Sequence, residues 1–413
     1  MIQRMNNHAT PILSRRDVWI AVAFFLAAFL VRFVELGALT SFTGDEAMHV
    51  ASAANYTERG YFGPDNWYHP PLKHVLLYGS IKLFGDNPYG WRMRNVLFGA
   101  ATVPLLYVLT SLLFGQTAAV ISAALLLLDP LHILFSRTTY EDIPAVFFLT
   151  AALLLTVKAI RNGKERDWAF TGMLFGLSIA LRLYCANALL VVLLCVLVRS
   201  FKREGTEGIL RTASYLILLP FTVYLLAYSP WFHRGYSLGE WFMMQIDALR
   251  ELRTVSSFNS ILTGLGGPGN WFIREIAIGF KLSGNDGWSA YTVIMNNLPV
   301  WLLIIPAVLY LLATSIKERH LPAILIGVVF CALYLPFLYV KRPIFLYSAV
   351  PLLPFGFLAL GCTAERLLKR WAYLFIALAT GWSLFLYPLV VGITIPDAFY
   401  QPILSAVKIY MPH

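Results

Sequence analysis

The sequence has little charge and few cysteines for its length. Only 13% of its 413 residues are charged, and four are cysteines. The cysteines lie in or beside apolar stretches, without a CxxC pair or a histidine at metal-binding spacing, so a disulfide framework or a zinc site is not expected. No internal repeat, low-complexity tract or soluble domain is visible either. These absences predict a single integral-membrane domain over residues 1–413, with no separate soluble domain.

Apolar residues are abundant and continuous. They make up 58% of the chain, and 15% of all residues are aromatic. Several apolar runs are about 18 to 22 residues long, which is the length that crosses a bilayer as a helix. We therefore predict an all-α polytopic membrane protein. The net charge of +10 is concentrated in short loops that the positive-inside rule assigns to the cytoplasm, so no nucleic-acid partner is expected.

The polar breaks predict about eleven crossings, with the N-terminus inside and the C-terminus outside. The first run is longer than a signal-peptide core and lacks a cleavage site, so it is expected to be retained. Residues 39–90 then form a first outer loop with interfacial helices, and 231–294 form a large outer loop. The predicted spans are 18–38, 91–113, 118–135, 143–158, two short helices that turn near Arg182, 209–230, 296–316, 321–340, 343–361 and 371–391.

Charges on the predicted outer side identify a candidate site. A cation in or beside the hydrocarbon costs about 2.5–3.5 kcal/mol and persists only with a partner or a function. Cations hold phosphate groups and carboxylates transfer protons, so a cluster of both suits an anionic lipid headgroup. The outer residues expected to converge are the carboxylates Asp45, Glu46, Glu141 and Asp142 and the cations Arg92, Arg94, Arg182, Lys341 and Arg342.

Each candidate also has a purely structural interpretation. Asp45 and Glu46 suit the N-terminus of a helix, where the helix dipole favours anions. Arg137 suits an interfacial side chain whose charged end reaches water. His69 suits a turn, and Lys341 with Arg342 suits nonspecific contact with lipid headgroups.

Two further patterns have structural interpretations. Arg32 and Glu35 are three residues apart in the first span and are expected to form an ion pair near the outer interface. The segment GLGGPGN (264–270) lacks the lysine of a phosphate-binding loop and does not follow a strand, so it is interpreted as a loop.

Four segments in order resemble a known family. They are GDEAMH (44–49), NWYHPPLKHVLLYGSIKLFG (66–85), WRMRNVLFGAATVPLLYVLTSLLFG (91–115) and SRTTYEDIPAVFF (136–148). Together they resemble the N-terminal half of the polyprenyl-phosphate-dependent glycosyltransferases of GT-C fold. That superfamily includes the dolichyl-phosphate-mannose protein mannosyltransferases and the lipid A aminoarabinose transferases. The resemblance covers roughly residues 20–200 and is looser afterwards.

The resemblance implies transfer of one sugar from a polyprenyl-phosphate carrier to a hydroxyl acceptor, with inversion at the anomeric carbon. Asp45 corresponds to the family's first acidic residue and would be the general base. Glu46 would support it, and Asp142 would bind acceptor or donor sugar. The residues implied for the carrier phosphate are Arg92, Arg182, Lys341 and Arg342, and further substrate-site candidates are His69, Lys73, Glu141 and Arg137.

The chain departs from the family pattern at two points. Arg182 stands where many relatives have lysine, which keeps the charge but changes the geometry of phosphate binding. Lys73 follows the HPPL box directly, where the protein mannosyltransferases commonly have Gly-Lys. The chain also lacks the soluble insert of the eukaryotic enzymes and the C-terminal soluble domain of the aminoarabinose enzymes. The acceptor, whether lipid, glycan or protein, therefore stays open.

The remaining expectations concern a metal ion, the cellular location and the position of the lipid tail. No metal is required by the chemistry, although a divalent ion is compatible with Asp45, Glu46, His69 and Asp142. A prokaryotic plasma membrane is expected, with the active site on its periplasmic or extracellular face. The lipid tail is expected to lie along the spans between 296 and 361, beside tryptophans of the large outer loop such as Trp231, Trp241, Trp271 and Trp288.

Three other functions remain open from the sequence. The first is a secondary transporter or flippase for an anionic lipid or solute, although internal repeats and broken helices typical of transporters are not evident. The second is an oligosaccharide transferase that uses a diphosphate-linked donor. The third is a noncatalytic carrier-binding subunit, in which replacement of Asp45 by Asn would leave function intact.

Overall fold

A computed structural model describes residues 14–38, 45–59, 67, 69–254, 267–285, 287–340 and 344–407. The described chain is mostly helical. Its helices are α1 (Arg15–Phe33), α2 (Glu46–Arg59), α3 (Leu72–Phe84), α4 (Pro88–Phe114), α5 (Gln116–Leu127), α6 (Pro130–Phe135), α7 (Asp142–Asn162), α8 (Glu165–Ile179), α9 (Ala186–Ala213), α10 (Leu219–Ala227), α11 (Ser229–His233), α12 (Leu238–Thr254), α13 (Leu298–Trp301), α14 (Ile304–Lys317), α15 (Leu321–Tyr339), α16 (Leu353–Thr363), α17 (Ala372–Val391) and α18 (Asp397–Ala406).

Capping residues fix where the first long helices begin. The Ser14 hydroxyl accepts a hydrogen bond from the Asp17 amide at 3.1 Å, and the Asp17 carboxylate accepts one from the Ser14 amide at 3.0 Å. This capping box satisfies two amides that would otherwise lack partners at the start of α1. The Asn87 side chain caps α4 by accepting hydrogen bonds from the Tyr89 and Gly90 amides, and Pro88 occupies the first position of the helix. Asp17 also accepts a hydrogen bond from the Tyr107 hydroxyl at 2.7 Å, which joins α1 to α4.

The apolar core is continuous and is centred on α4, which contacts α1, α3, α5 and α7. Small residues allow the closest helix contacts. A Cβ atom on Gly361 of α16 would lie 2.5 Å from the Ala118 carbonyl oxygen of α5. A Cβ on Gly172 of α8 would lie 2.0 Å from the Tyr215 carbonyl oxygen. Both pairs of helices could approach so closely only with glycine, which is common where membrane helices pack.

Helices occur at every predicted span, although their bounds differ. The described residues contain seven helical stretches that are long and apolar enough to cross a membrane. Helix α1 is not among them because it carries the charged residues Arg15, Arg16, Asp17 and Arg32. Helix α8 has only 15 residues, and the predicted span 118–135 is divided between α5 and α6. The expected hairpin near Arg182 is confirmed, since the chain turns between α8 and α9.

The predicted ion pair between Arg32 and Glu35 is wrong. Helix α1 ends at Phe33, and Glu35 is exposed with a φ of 53°, so the two residues do not share a helical face. Arg32 is instead completely buried and contacts His132 Nδ1 at 2.9 Å and Ser136 Oγ at 3.2 Å. Its guanidinium therefore links α1 to α6, which a local spacing rule could not anticipate.

The fold is not entirely α-helical, which corrects the prediction. A three-stranded antiparallel sheet has the order β1 (Ala277–Asn285), β2 (Trp288–Met295) and β3 (Ile395–Pro396). Strands β1 and β2 form a hairpin inside the predicted large outer loop, and β3 brings the chain after α17 to its edge. The buried Asn296 ties the hairpin to the preceding turn by donating to the Trp271 and Arg274 carbonyls at 2.9 and 2.8 Å.

The tryptophans predicted beside a lipid tail have other positions. Trp231 and Trp241 are buried in an aromatic cluster with Trp67 and Tyr228. Trp271 is completely buried in the main core, and Trp288 is half exposed on β2. Trp241 packs against α10, and Trp271 packs against α15.

Candidate active site

The start of α2 and the loop between α6 and α7 meet beside the N-terminal end of α4. Glu46 is completely buried and accepts two hydrogen bonds from Arg92, at 2.9 Å from Nη2 and 3.3 Å from Nε. Its Oε1 also accepts from the Thr139 amide at 3.0 Å. Because one carboxylate joins three elements, this arrangement fixes the position of α2 against α4 and the loop.

Two further buried carboxylates, Glu141 and Asp142, lie at the start of α7. Arg182 contacts Asp142 Oδ2 at 2.5 Å and Glu141 Oε1 at 3.4 Å. The Tyr184 hydroxyl donates to the other Asp142 oxygen at 2.8 Å. Burial alone would lower the pKa of Arg182 and raise that of Glu141. The opposite charges outweigh burial, so the pKa of Arg182 is raised and that of Glu141 lies well below its usual value.

Lys73 connects α3 to both groups. Its ammonium lies 3.6 Å from Glu141 Oε1 and 3.5 Å from His49 Nε2. Burial lowers the pKa of Lys73, and the Glu141 charge opposes that shift. Burial also lowers the pKa of His49 to about 4, so its ring is neutral at pH 7. Lysine can only donate, so the tautomer that fits places the proton on Nδ1, 3.1 Å from Thr139 Oγ1.

Asp45 directly precedes α2 at the edge of this network. Its amide donates to the Tyr140 hydroxyl at 3.3 Å, and its carbonyl accepts from the His49 amide at 3.1 Å. The residue itself is exposed, and in the described parts of the chain its carboxylate has no ion-pair partner. Tyr140 packs against Tyr347 at 5.4 Å between ring centres, and Arg182 lies 5.6 Å from the Tyr347 ring. An exposed carboxylate therefore borders a rigid, buried framework.

Most of the predicted site residues come together. The network brings together Asp45, Glu46, Lys73, Arg92, Glu141, Asp142 and Arg182. His69 lies close enough to Glu141 to lower the pKa of that carboxyl. Arg92, however, is buried against Glu46, so the structure does not place it at an open phosphate site. Lys341 and Arg342 lie outside the described residues.

Arg137 does not join the network. Its guanidinium donates to the carbonyls of Arg32 at 2.8 Å, Glu35 at 3.2 Å and Val391 at 3.0 Å, and also to that of Val34. These carbonyls belong to the end of α1 and the end of α17. Arg137 therefore joins helix ends, and its burial corrects the expectation that its charged end reaches water.

Several residues at the site were not predicted from the sequence. His49, Tyr140 and Tyr184 each lie within four residues of a predicted residue, so the polar context within an apolar stretch was a usable signal. Arg94 was noticed only as an outer cation, and it donates to the Lys73 and Thr139 carbonyls. Tyr347 had no local signal, because only tertiary packing brings it to Tyr140.

The described residues contain no group of three His, Cys, Asp or Glu side chains that could hold a metal ion. The carboxylates of Glu46, Glu141 and Asp142 instead face arginine or lysine. Two polar atoms, Glu141 Oε2 and Arg182 Nε, are buried and have no hydrogen-bond partner within the described ranges. Since buried polar atoms are normally paired, they are candidates for contact with a substrate.

An apolar groove begins next to the site. It has a volume of about 550 Å³ and runs from Leu183, which follows Arg182, along one face of α9 to Leu193. Its opposite wall includes Pro220 and Phe221 of α10. The volume falls in the usual range for ligand-binding clefts, about 300–1,000 Å³. The groove thus starts one residue from Arg182 and continues along α9 in the predicted hydrocarbon region.

Comparison with known proteins identifies the family. Residues 68–232 match the family model of dolichyl-phosphate-mannose-protein mannosyltransferases. A polyprenol-phosphate-mannose–protein mannosyltransferase of Mycolicibacterium smegmatis is 24% identical, over 87% of this chain and 84% of that protein. These matches support a polyprenyl-phosphate-dependent glycosyltransferase of GT-C fold. This confirms the resemblance and identifies the chain as a membrane glycosyltransferase.

Two further similarities place this glycosyltransferase among its relatives. YkcB of Bacillus subtilis is 31% identical over a segment that covers 29% of this chain and only 16% of YkcB. The structure resembles a chain of the Saccharomyces cerevisiae Pmt1–Pmt2 protein O-mannosyltransferase complex bound to the sugar donor. The TM-score is 0.78 at 13% identity, over 95% of this chain and 92% of that one. At that identity the likeness establishes the fold alone.

Proposed function

We propose that the protein transfers a single sugar from a polyprenyl-phosphate carrier to a hydroxyl acceptor on the extracytoplasmic face of the plasma membrane. The observation that carries the proposal is the difference among the site carboxylates. Glu46, Glu141 and Asp142 are buried and face cations, whereas Asp45 is exposed beside them. An exposed carboxylate at the edge of a fixed polar framework suits proton transfer.

The reaction is an inverting displacement at the anomeric carbon. Asp45 takes the proton of the acceptor hydroxyl while the acceptor oxygen forms a bond to the anomeric carbon. The bond between that carbon and the phosphate oxygen breaks, and its electron pair goes to the phosphate. Polyprenyl phosphate leaves with one additional negative charge. Arg182 is proposed to stabilise that charge. It lowers the barrier only if it binds the leaving phosphate more strongly than it binds the phosphate of the intact donor.

Each remaining site residue has a role in this proposal. Glu46 and Arg92 are positioning residues, because their buried contacts fix Asp45 at the start of α2. Asp142 and Glu141 hold Arg182 and present polar atoms to the sugar. Lys73 and His69 lie where they can contact donor or acceptor hydroxyl groups. Lys341 and Arg342 retain their proposed role as further cations for the carrier phosphate.

The lipid carrier is proposed to lie in the groove between α9 and α10, with its phosphate beside Arg182. This differs from the location expected from the sequence, along the spans between 296 and 361. The groove is supported by its apolar lining and by the position of Leu183, one residue from Arg182. Its residues would cover prenyl units, whose burial is favourable at about 25 cal/mol per Å².

Eleven crossings with the N-terminus inside are proposed as the topology. The basic loops between α7 and α8 and after α9 support it through the positive-inside rule. We also propose that no metal is required, because the Arg182 cation can balance a monophosphate leaving group. Activity of the purified enzyme is therefore expected to survive treatment with EDTA, and loss that magnesium or manganese restores would contradict this.

The function is tested by comparing the lipids, glycans and glycoproteins of a deletion strain with those of the strain complemented by the wild-type gene. Mass spectrometry is expected to show one species that loses a single sugar mass in the deletion strain and regains it on complementation. Loss of a whole oligosaccharide would instead favour a diphosphate-linked donor. An unchanged envelope with altered distribution of a carrier lipid between leaflets would favour transport.

A further inference from the structure

The predicted span 118–135 is broken inside the apolar core. Helix α5 ends at Leu127 and α6 begins at Pro130, and the neighbouring residues Leu126 and Leu131 belong to the main core. The last carbonyls of a helix have no partner within the helix itself. In a membrane domain such groups must be paired within the protein, because the bilayer supplies no water. The break therefore needs a donor from another element.

Arg32 of α1 is that donor. Its Nη1 donates to the Leu127 carbonyl at 3.3 Å, and its Nη2 donates to the Leu126 carbonyl at 3.4 Å. Nη1 also donates to the Ala28 carbonyl at 3.1 Å, so the side chain is anchored to its own helix. A guanidinium presents five N–H donors in one plane, which lets a single side chain meet several carbonyls. Arg32 thus closes the end of α5.

The positive charge of Arg32 is matched within the break. Asp129 lies close enough to attract it electrostatically. The Asp129 carboxylate also caps α6, because Oδ1 accepts from the His132 amide at 2.9 Å, while Oδ2 accepts from Trp301 Nε1 at 2.8 Å. All four side chains are buried. A buried charge in a membrane protein persists only with a partner or a function. Arg32 and Asp129 together fix α6 against α1 and α13.

Ser136 connects this network to the loop that follows α6. Its Oγ accepts a hydrogen bond from Arg32 Nε at 3.2 Å and donates to the His132 carbonyl at 2.6 Å. A Cβ atom on Gly99 of α4 would lie 2.1 Å from this Oγ, so only glycine allows the hydroxyl to lie there. Arg32 thus contacts the chain at the residue where α6 ends and the loop to α7 begins.

The loop after Ser136 carries contacts of the candidate active site. Three residues later, the Thr139 amide donates to Glu46 Oε1 at 3.0 Å. Glu141, the last residue of the loop, faces buried cations of the site. We propose that Arg32 is a positioning residue of the transferase and that it acts through Ser136 on this loop. The inference rests on the proposed function for its activity measurement. Both residues are completely buried, so they act on a substrate only through the loop.

The test compares S136A with S122A, because the two serines are closely matched. Ser122 of α5 is also completely buried, and its Oγ donates to the carbonyl four residues earlier, that of Ala118, at 2.8 Å. It also lies against a glycine, since a Cβ on Gly361 would be 2.1 Å from its Oγ. Within the described chain no arginine donates to Ser122. S136A therefore removes the link to Arg32, whereas S122A removes an equivalent hydroxyl without such a link.

Two measurements are made on the purified full-length proteins, well below their unfolding temperatures. The first is turnover of polyprenyl-phosphate mannose. S136A is expected to lose about tenfold in kcat, because a small displacement near the reacting groups can cost about 10²-fold. Its KM for the donor is expected to change less than about twofold, since the loss is in positioning and not in binding. Its unfolding temperature is expected to stay close to that of S122A.

The second measurement is hydrogen exchange detected by mass spectrometry. Peptides that cover 137–142 are expected to exchange faster in S136A than in wild type, because the loop has lost its contact with Arg32. S122A is expected to match wild type in kcat and in the exchange of these peptides. Wild-type kcat in S136A, unchanged exchange of 137–142, or equal losses in the two alanine variants would overturn the inference.

R32K provides a second variant if S136A does not fold. Lysine keeps the charge but cannot donate to all of the same acceptors, so R32K is expected to show the same two changes. The double variant R32K/S136A is expected to lose no more kcat than R32K alone, because Arg32 and Ser136 act through one contact. Additive losses would show that Arg32 does not act through Ser136 and would overturn the inference.

Absence of sugar transfer by the wild type would contradict the proposed function instead. The exchange measurement needs no substrate, so it would still decide whether the loop depends on Arg32. Faster exchange of 137–142 in S136A but not in S122A would then support the inference, and equal exchange in the two variants would overturn it.

Discussion

Glu46 and Arg92 form a buried, two-point contact between α2 and α4, with N–O distances of 2.9 and 3.3 Å. The contact lies one residue from the exposed Asp45. Because both partners are almost completely buried, they can act on a substrate only through the position that they give to Asp45. The proposed catalytic carboxylate and its support are thus adjacent in the sequence but different in burial.

The first prediction concerns this pair. E46Q leaves the Arg92 charge buried without its carboxylate, so we expect the protein to lose about 3–5 kcal/mol of stability. The measurement is the free energy of unfolding in detergent. The double variant E46L/R92M removes both charges. Its loss of stability is expected to be smaller than the sum of the losses in E46L and R92M. Simple additivity would show that the two side chains do not interact.

The second prediction concerns Arg182, which contacts both Asp142 and Glu141. A lysine keeps the charge but cannot donate from a planar fork to two carboxylates. R182K is therefore expected to retain folding and to lose at least about tenfold in kcat/KM for the donor, whereas R182Q loses more because charge stabilisation is worth several kcal/mol. The control is R250K, an exposed arginine paired with Asp247 in α12. Equal activity of R182K and R182Q would exclude a role for the charge.

The third prediction concerns pH and His49. Its pKa is about 4 in the folded protein, against a usual value near 6.5, because it is buried beside Lys73, Arg94 and Arg182, with Glu141 opposing them. The unfolded chain binds this proton at a higher pH than the folded protein, so stability falls as pH decreases from 6.5 to 4 and then levels off. Over that window His49 contributes on the order of 3 kcal/mol.

The check is the stability of H49N against pH. Asparagine does not titrate, so the variant is expected to show a shallower decrease in unfolding free energy between pH 6.5 and 4. Variant H233N is the control, because His233 is not part of the network. An unchanged slope in H49N would mean that His49 is not held neutral in the folded protein.

Much of the membrane architecture followed from the sequence, for physical reasons. Apolar runs must be helical in a bilayer, since backbone groups there need partners within the same segment. That rule anticipated both ends of α15 to within one residue and the ends of α4 and α7 to within about four. It failed for the β1–β2 hairpin, whose strands pair locally across a short turn between Asn285 and Trp288, because the rule detects only apolar runs long enough to cross a bilayer.

The sequence predicted which residues come together at the site better than it predicted how they pair. Charges that interrupt apolar runs near one membrane face identified Asp45, Glu141 and Arg182. Their pairing was not predictable, because Arg92 meets Glu46 and Arg137 meets carbonyls of distant helix ends only after folding. Sequence alone therefore could not show that Arg92 is buried while Asp45 is exposed.

The central claim is that Asp45 is the general base, and D45N tests it most directly. Turnover is measured with purified protein and a polyprenyl-phosphate sugar, with unfolding temperature as the check on folding. Variant D247N removes an exposed carboxylate from the predicted outer side and is the matched control. We predict that D45N keeps the wild-type unfolding temperature and loses about 10²- to 10⁴-fold in kcat, while D247N stays active. A folded D45N that turns over donor at the wild-type rate would contradict the account.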